Sequence, residues 1–236
     1  MKADTAAVVV AAGLGRRMGG TNKALLRLGG RPVLAYSLQT MRHSASIGQI
    51  VLVMNEADRQ RLADEWHTDA HALGADVVVC GGAERWLSSR HGCEATDPES
   101  DLVLVHDGAR PLLQAADLER VLEAARRTGA ALAAEPLADT LKQSCTDTRV
   151  KYTVPREDLW RAQTPQVARR DWMLEAFASW DAERDGLPTD ESMMLEKIGH
   201  APELVPCTGP NFKITLPRDL LLAEALMRDP SLADHA

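Results

Sequence analysis

Short apolar segments alternate with longer segments of mixed polarity along most of this 236-residue chain. The apolar segments are rich in Val, Leu or Ala and have the length of buried strands. We predict strands at residues 6–12, 49–54, 76–80, 101–106 and 130–134, and helices at residues 33–42, 56–73, 86–95 and 118–127. Because helices that connect parallel strands must pack on the sheet, this order predicts an α/β fold: a doubly wound, mostly parallel, Rossmann-like sheet.

The first predicted strand ends at a glycine-rich, cationic segment. Gly13 and Gly15 are followed by Arg16, Arg17 and Lys23. Glycines after a strand let the backbone turn sharply and expose N–H groups to a ligand, and arginines bind phosphate oxygens with a planar fork of donors. The segment therefore predicts a polyphosphate site at the carboxyl end of a central strand, although a solvated basic surface is the alternative.

The charge distribution also favours a compact anionic ligand. Residues 5–55 contain no Asp or Glu, although the whole chain has a net charge of −7. A long nucleic acid usually requires a broad basic surface, so we expect no nucleic-acid partner. Met18 occupies the position of the third glycine of a dinucleotide fingerprint, and the Gly-Lys-Ser/Thr ending of a Walker A loop is missing.

Hydropathy and cysteine spacing limit the remaining classes. No apolar run reaches 18 residues, so we expect no transmembrane helix and no membrane partner. The four cysteines are scattered without a Cys-x-x-Cys pair, which disfavours a zinc site and a disulfide framework. We expect a cytoplasmic protein, because free thiols persist in a reducing compartment.

Three loops should meet at the edge where the parallel strands end, namely residues 13–23, 81–89 and 107–110. Asp107 is the one carboxylate among the strand-end residues of these loops. A carboxylate beside bound phosphates is a typical Mg²⁺ ligand, so we predict Mg²⁺ at Asp107. An N-cap for the following segment is the alternative role of this residue.

The alternating pattern is interrupted at residues 138–163. This polar stretch includes Val150-Lys151-Tyr152-Thr153-Val154, whose period of two favours an extended arm or hairpin. Such an arm often reaches a neighbouring subunit. Beyond it we predict helices at 169–183, 189–197 and 220–227 and strands at 203–206 and 213–216. Since no linker is apparent, we expect one domain over residues 1–236 with an arm at about 138–163.

Several motifs together resemble one family, 2-C-methyl-D-erythritol 4-phosphate cytidylyltransferase of the non-mevalonate isoprenoid pathway, over residues 6–227. They are Ala11-Ala12-Gly13-x-Gly15-Arg16-Arg17-Met18, Gly81-Gly82-x-Glu84-Arg85 with Ser88, His106-Asp107-Gly108-Ala109-Arg110-Pro111, Asp139-Thr140-x-Lys142, Thr153-x-x-Arg156, Leu159-Trp160-x-Ala162-x-Thr164-Pro165-Gln166, Thr189-Asp190-Glu191 and Lys213-Ile214-Thr215. The chain departs from the common pattern at Asn22, Ala24, Ser89 and Gly108. None of these departures removes a charged group.

The resemblance implies a Rossmann-like nucleotidyltransferase that moves CMP from CTP to methylerythritol phosphate with Mg²⁺ as cofactor. It implies that Arg17 and Lys23 bind the triphosphate and that Asp107 holds the metal. Nucleotide contacts are expected from Ala11, Ala12, Gly13, Gly15, Gly82, Ser88, Asp107 and Gly108. The second phosphate is expected at Arg156 and Lys213, helped by Arg110, Thr140 and Thr164. The family also implies a homodimer in which the arm completes the partner's site.

Two other functions stay open from the sequence. A ribitol 5-phosphate cytidylyltransferase would share the loops and differ in the polyol pocket. A catalytically silent nucleotide-binding module would share the fold, although it would have no reason to keep Arg17, Lys23, Asp107, Arg156 and Lys213 together.

Overall fold

A seven-stranded sheet forms the centre of the computed structural model, which describes residues 3–13 and 22–228. Its strands are β1 (Thr5–Val10), β4 (Ile47–Val53), β5 (Val77–Val79), β6 (Leu102–Asp107), β7 (Ala130–Pro136), β10 (Trp160–Arg169) and β11 (Glu203–Pro206). Two small hairpins are β2 (Arg27–Leu28) with β3 (Arg31–Pro32), and β8 (Leu141–Ser144) with β9 (Val150–Val154). The helices are α1 (Val33–His43), α2 (Glu56–Trp66), α3 (Arg85–Glu94), α4 (Ala115–Thr128), α5 (Arg170–Ser179), α6 (Ala182–Asp185), α7 (Glu191–Lys197) and α8 (Pro217–Met227).

The strand order confirms the predicted fold class. The order is β11-β7-β10-β6-β1-β4-β5, in which β1 is parallel to both β4 and β6. β5 is parallel to β4, and β11 is parallel to β7, whereas β10 is antiparallel to both of its neighbours. β4 and β5 lie on one side of β1, whereas β6, the next strand of this sheet along the chain, lies on the other side of β1. The carboxyl ends of β1 and β6 therefore form a topological switch point, where sheets of this kind bind ligands.

Both faces of the sheet are covered because successive strand residues point to opposite sides. Val9 belongs to the core formed with α1, α2 and α4, whereas Val8 belongs to the core formed with α3, α5 and α7. Helix α3 lies very close to the sheet at Gly92, where an added Cβ would be 2.3 Å from Val8 Cγ1. This close approach fixes the start of α3, which carries Arg85, beside the end of β6.

Strand β10 is the main element that the sequence analysis missed. The predicted arm includes residues 160–163, and the predicted helix begins at residue 169. Instead, residues 160–169 pair with β6 on one side and β7 on the other. The strand contains buried Gln163, Thr164 and Gln166, and a register shift falls between Ala162 and Gln166. Its polar sequence hides the strand pattern, since pairing with two neighbours stabilises it here.

Three other predicted elements end early, are divided or are absent. Helix α2 ends at Trp66 rather than residue 73, because His67 adopts a left-handed conformation (φ 50°). The backbone N–H at this end of the helix donates to the Leu62 carbonyl. The helix expected at 169–183 is divided into α5 and α6, and Asp181 caps the second. Residues 213–216 form no strand, although Ile214 is buried and its N–H donates to Ala109 O at 2.8 Å.

The segment expected to be extended contains the β8–β9 hairpin. Its strands pair in antiparallel register, with Leu141 opposite Val154 and Lys142 opposite Thr153. Nearly all of its residues are exposed, including the large apolar side chains Leu141, Val150 and Tyr152.

Two expectations from composition can be compared with the structure. The four cysteines are unpaired. In the described part of the chain, no helix combines the length and the apolar character that crossing a membrane requires.

Candidate active site

A cleft of about 480 Å³ opens at the carboxyl ends of β1, β5 and β6. It is lined by residues 10–13, 22–24, 55, 81–85, 88, 107, 109 and 213. The three loops that the sequence analysis placed together all contribute to this lining. The cleft lies at the switch point of the sheet, where backbone N–H groups after the strands face the ligand space.

Most of the predicted nucleotide-binding residues border the cleft. Ala11, Ala12, Gly13, Lys23, Gly82, Ser88 and Asp107 are among its lining residues. Gly108 lies behind it, where its N–H donates to Val10 O at 2.9 Å and an added Cβ would be 3.3 Å from Ala11 Cβ. Gly15 and Arg17 lie outside the described residues.

Ser88 shapes the loop after β5 rather than simply facing the cleft. Its buried Oγ accepts the Gly82 N–H at 3.0 Å and donates to the Glu84 carbonyl at 3.2 Å. Both bonds fold residues 81–84 over the first turn of α3, so the Gly82 backbone is held at the cleft wall.

Asp107 lies at the centre of a cluster of cations. Its Oδ1 accepts from Arg85 Nε at 3.1 Å, and its Oδ2 lies 3.0 Å from Lys213 Nζ and 3.4 Å from Arg110 Nε. The Asp107 side chain is 8% exposed, so these charges act in a poorly solvated environment. Burial alone would raise the pKa of this carboxyl, but Arg85, Lys213 and Arg110 together lower it well below its ordinary value. Asp107 is therefore ionised at neutral pH.

A second carboxylate, Glu191, holds Arg85 from behind. The Arg85 guanidinium donates from Nη1 and Nη2 to the two Glu191 oxygens at 2.7 and 3.1 Å. Glu191 is fully buried at the first residue of α7, whereas Arg85 is 29% exposed. Burial alone would lower the pKa of Arg85, but the charges of Glu191 and Asp107 outweigh it and raise the pKa. Because its fork is bound to Glu191, Arg85 presents only Nε to Asp107.

Of the residues predicted for the second substrate, Lys213 and Arg110 lie beside Asp107. Arg110 also donates to the Asn211 carbonyl at 2.7 Å, and the Asn211 amide donates to Gln163 Oε1 and Thr164 O. These bonds attach the segment that carries Lys213 to strand β10. Lys213 is thus positioned by a strand that the sequence analysis did not predict.

Two more of the residues predicted for the second substrate, Thr140 and Arg156, are exposed and flank the two strands of the β8–β9 hairpin. Among the residues that the structure describes, the cleft lining includes neither of them. Within one chain, the structure does not bring Thr140 and Arg156 to the cleft lining.

Thr164 and His106 form a buried chain behind Asp107. The Thr164 hydroxyl accepts the Asp107 N–H at 3.0 Å and lies 3.1 Å from His106 Nδ1, and His106 Nε2 lies 3.2 Å from the Arg110 carbonyl. A carbonyl oxygen can only accept, so Nε2 carries the proton and Nδ1 accepts from the hydroxyl. Both bonds of the Thr164 hydroxyl are thus made within the protein, and they fix the backbone of Asp107.

Burial lowers the pKa of His106 to about 4 from an ordinary value of 6.5. Between these values the unfolded chain binds a proton that the folded chain does not, so stability falls as the pH drops from about 6.5 to about 4. This difference corresponds to at most about 3 kcal/mol of unfolding free energy. Urea unfolding at pH 7 and pH 4.5 should show this loss in the metal-free protein, and His106→Asn should lose less stability over the same interval. Equal losses in the two proteins would contradict the assignment of a neutral, buried His106.

Several site residues received no role from the sequence. Arg85 and Glu191 were visible only as letters of a family motif, and the residue spacing gave no sign that they pair. Asn22 and Asn55 also border the cleft. The signal that the sequence offered for Arg85 was Asp107 itself, because an acidic residue at the end of a buried strand requires positive charge nearby.

Asp107 could contribute one carboxylate oxygen to a hard divalent cation that phosphates also bind. Within the described residues, no three His, Cys, Asp or Glu side chains are grouped as a protein-only metal site. Among those residues, Oδ1 of Asp107 accepts one hydrogen bond, which leaves it a lone pair. A Mg²⁺ ion that takes one carboxylate needs its remaining ligands from phosphate oxygens and water.

The chain is similar to one known family over nearly its whole length. The model of the family IspD, 2-C-methyl-D-erythritol 4-phosphate cytidylyltransferase, matches residues 5–229. The chain is 36% identical to the enzyme of that name from Syntrophus aciditrophicus, over 97% of each chain. It is 42% identical to the enzyme of that name from Frankia casuarinae, over 98% of this chain and 84% of the relative.

Solved structures show the same architecture. The crystal structure of 2-C-methyl-D-erythritol 4-phosphate cytidylyltransferase from Thermus thermophilus superposes with a TM-score of 0.77 at 35% identity, covering 97% of this chain and 100% of that one. The structure of 4-diphosphocytidyl-2C-methyl-D-erythritol synthase from Anaerococcus prevotii gives 0.78 at 29% identity, covering 95% and 98%. Since both the family model and these relatives span nearly all of it, the chain belongs to the 2-C-methyl-D-erythritol 4-phosphate cytidylyltransferase family.

Proposed function

We propose that this protein transfers CMP from CTP to 2-C-methyl-D-erythritol 4-phosphate, giving 4-diphosphocytidyl-2-C-methyl-D-erythritol and pyrophosphate for isoprenoid precursor biosynthesis. The observation that carries the proposal is one cleft at the switch point of the sheet, bordered by Lys23, Asp107 and Lys213. Two polyanions can approach each other there because cations and backbone N–H groups surround the meeting point.

In this reaction a phosphate oxygen of the polyol attacks the α-phosphorus of CTP. The new bond joins that oxygen to the α-phosphorus, and the bond to the bridging oxygen of the β-phosphate breaks. The nucleophile is already an anion, so no general base is required. The remaining barrier is charge repulsion and positioning, which preorganised cations reduce. Lys23 serves this role at the triphosphate, together with Arg17.

The nucleotide occupies the side of the cleft formed by β1 and the loop after β5. Backbone N–H groups at Gly13 and Gly15 support the phosphates, and Ala11 and Ala12 line the cleft beside them. Gly108 allows β6 to pack closely behind this wall. Gly82 and Ser88 face the base and ribose. A wall of backbone held by Ser88 favours a small base, since space rather than charge distinguishes a pyrimidine from a purine.

Asp107 would hold Mg²⁺, and Arg85 and Glu191 would keep its carboxylate in place. When bound, the ion neutralises phosphate charge and acts as a Lewis acid on the phosphoryl oxygens. Lys213 and Arg110 lie on the opposite side of Asp107, where the phosphate of the second substrate would bind. Thr164 acts indirectly by fixing the Asp107 backbone.

A second copy of the chain supplies the remaining cation. The β8–β9 hairpin exposes Leu141, Val150 and Tyr152 at 37, 62 and 48% of their surfaces, which favours contact with a neighbouring subunit. In such a homodimer, Thr140 and Arg156 of one hairpin reach the partner's site. The strands of the main sheet come from both ends of the chain, so residues 1–236 act as one domain with this hairpin as its arm. The unpaired cysteines support a cytoplasmic location.

The direct test is pyrophosphate release from CTP and Mg²⁺, with methylerythritol phosphate and ribitol 5-phosphate compared at equal concentrations. We expect release with methylerythritol phosphate and at least about a hundredfold less with ribitol phosphate, because the polyols differ in the hydroxyls that a site must pair. A preference for ribitol phosphate would identify the other cytidylyltransferase. CTP binding without turnover of either substrate would identify a silent module.

The shared site predicts a specific result for mixed subunits. Arg156→Ala and Lys23→Ala should each be nearly inactive. In a mixed dimer, however, one site combines an intact Lys23 from one chain with an intact Arg156 from the other. Random reassociation of the two variants should therefore recover about a quarter of wild-type activity. No recovery after verified subunit exchange would show that Arg156 acts within its own chain.

A further inference from the structure

Asn22 is a buried amide at the border of the cleft, and all of its polar groups are bonded. Its Nδ2 donates to the Ala11 carbonyl and to Asp58 Oδ2, both at 2.6 Å, and its Oδ1 accepts the Ala24 N–H at 3.0 Å. Because two acceptors face one end of the amide and an N–H donor faces the other, the positions of Nδ2 and Oδ1 are determined. Only 5% of the Asn22 surface is exposed, so water has little access to its polar atoms.

These bonds join two parts of the chain that both border the cleft. Ala11 follows β1, and Ala24 lies in the short 3-10 helix Lys23–Leu25, which Asn22 caps. The bonds of Asn22 therefore hold the 3-10 helix, and with it the Lys23 backbone, against the end of β1. Less conformational freedom is then lost when Lys23 binds a ligand.

Asp58 holds the amide in place. It is 6% exposed and lies in the first turn of α2, where its N–H donates to Asn55 Oδ1 at 2.8 Å. Its Oδ2 accepts from Asn55 Nδ2 at 2.7 Å as well as from Asn22, and its Oδ1 lies 3.6 Å from Arg61 Nη1. A carboxylate acceptor gives a stronger hydrogen bond than a neutral one. The rigid first turn of α2 is thereby connected to residue 22, next to Lys23.

We propose that Asn22, anchored by Asp58, is a positioning residue that joins the end of β1 to the 3-10 helix and sets Lys23 at the triphosphate. The inference rests on the proposed function, since it takes CTP as the ligand of Lys23. The Asn22 clasp consists of the Asn22 and Asp58 side chains with the backbone of Ala11 and Ala24. It acts on the nucleotide side of the cleft, away from Lys213 and Arg110.

The first test measures CTP binding by calorimetry with Mg²⁺ and no second substrate. Asn22→Ala should raise the dissociation constant for CTP about tenfold, which is the effect of one or two lost hydrogen bonds. It should also lower kcat, because Lys23 loses its fixed position, while KM for methylerythritol phosphate changes less than about threefold. A purely structural role would not separate the two substrates in this way.

Two further variants make the test specific. Asp58→Ala leaves residue 22 intact and should reproduce the loss of CTP affinity, whereas Asp58→Asn keeps an acceptor oxygen and should restore most of it. Ser46→Ala is the matched control: it removes a buried hydrogen bond to Glu119 (3.0 Å) at the opposite edge of the sheet. It should lower stability without changing CTP affinity.

The outcomes separate this inference from the proposed function. If the wild-type protein does not bind CTP, the proposed function is wrong. If the wild-type protein binds CTP and Asn22→Ala and Asp58→Ala bind it equally well, the Asn22 clasp is wrong. Should Asn22→Ala fail to fold, Asp58→Ala decides, and unchanged CTP affinity with unchanged kcat in that variant overturns the proposal.

Discussion

Lys23→Met should reduce turnover by about two to three orders of magnitude, the cost of removing one preorganised charge from a transition state. Lys23 borders the cleft directly after the Asn22 clasp, on the nucleotide side of Asp107. Methionine keeps most of the length of the side chain and its apolar stem, so the substitution removes the charge with little change in packing. We therefore expect a nearly unchanged melting temperature.

The measurement is single-turnover formation of pyrophosphate with saturating CTP, which separates the chemical step from nucleotide binding. The control is Arg59→Ala, which removes an exposed cation from α2 that pairs only with Glu56 in the described structure. This control should keep wild-type turnover, because screened surface pairs contribute little. Turnover of Lys23→Met within a few-fold of wild type would remove Lys23 from the mechanism.

Glu191→Gln should have the largest effect on stability, about 2–3 kcal/mol of unfolding free energy. The substitution keeps the shape of a fully buried side chain but removes the charge that pairs with the Arg85 fork. Removing one partner of a buried pair leaves the other charge less well compensated, and Arg85 then keeps only Asp107 as its carboxylate partner among the described residues. The partial exposure of Arg85 moderates the cost. The melting temperature should fall by about 5–10 °C.

The same substitution at Glu203 is a matched control. Glu203 also accepts two bonds from an arginine, Arg127 Nη2, at 2.8 and 2.9 Å, but the Arg127 side chain is 64% exposed and that of Glu203 is 37% exposed. Glu203→Gln should therefore cost less than about 1 kcal/mol. Turnover should fall only in Glu191→Gln, because the released Arg85 fork competes for Asp107. Equal stability losses in the two variants would contradict the distinction between the buried and the exposed pair.

The sequence alone was sufficient to predict the parallel half of the sheet and the position of the cleft. Val-rich segments such as the one before Gly13 carry their strand signal locally, since burial on both faces requires continuous apolar character. The order of strands and helices then placed the loops after β1, β5 and β6 at one edge. Asp107 was identifiable because it is the one carboxylate among the strand-end residues of these three loops.

Tertiary structure decided what surrounds Asp107. Strand β10 is polar, and only its pairing with β6 and β7 makes it a strand. It then holds Asp107 through Thr164 and the Lys213 segment through Asn211. Gln166 of the same strand accepts the Ser192 N–H and so fixes the start of α7, which carries Glu191. Periodicity reports which residues avoid water, a property of each segment. Hydrogen bonds between distant polar side chains form only after the sheet has brought them together.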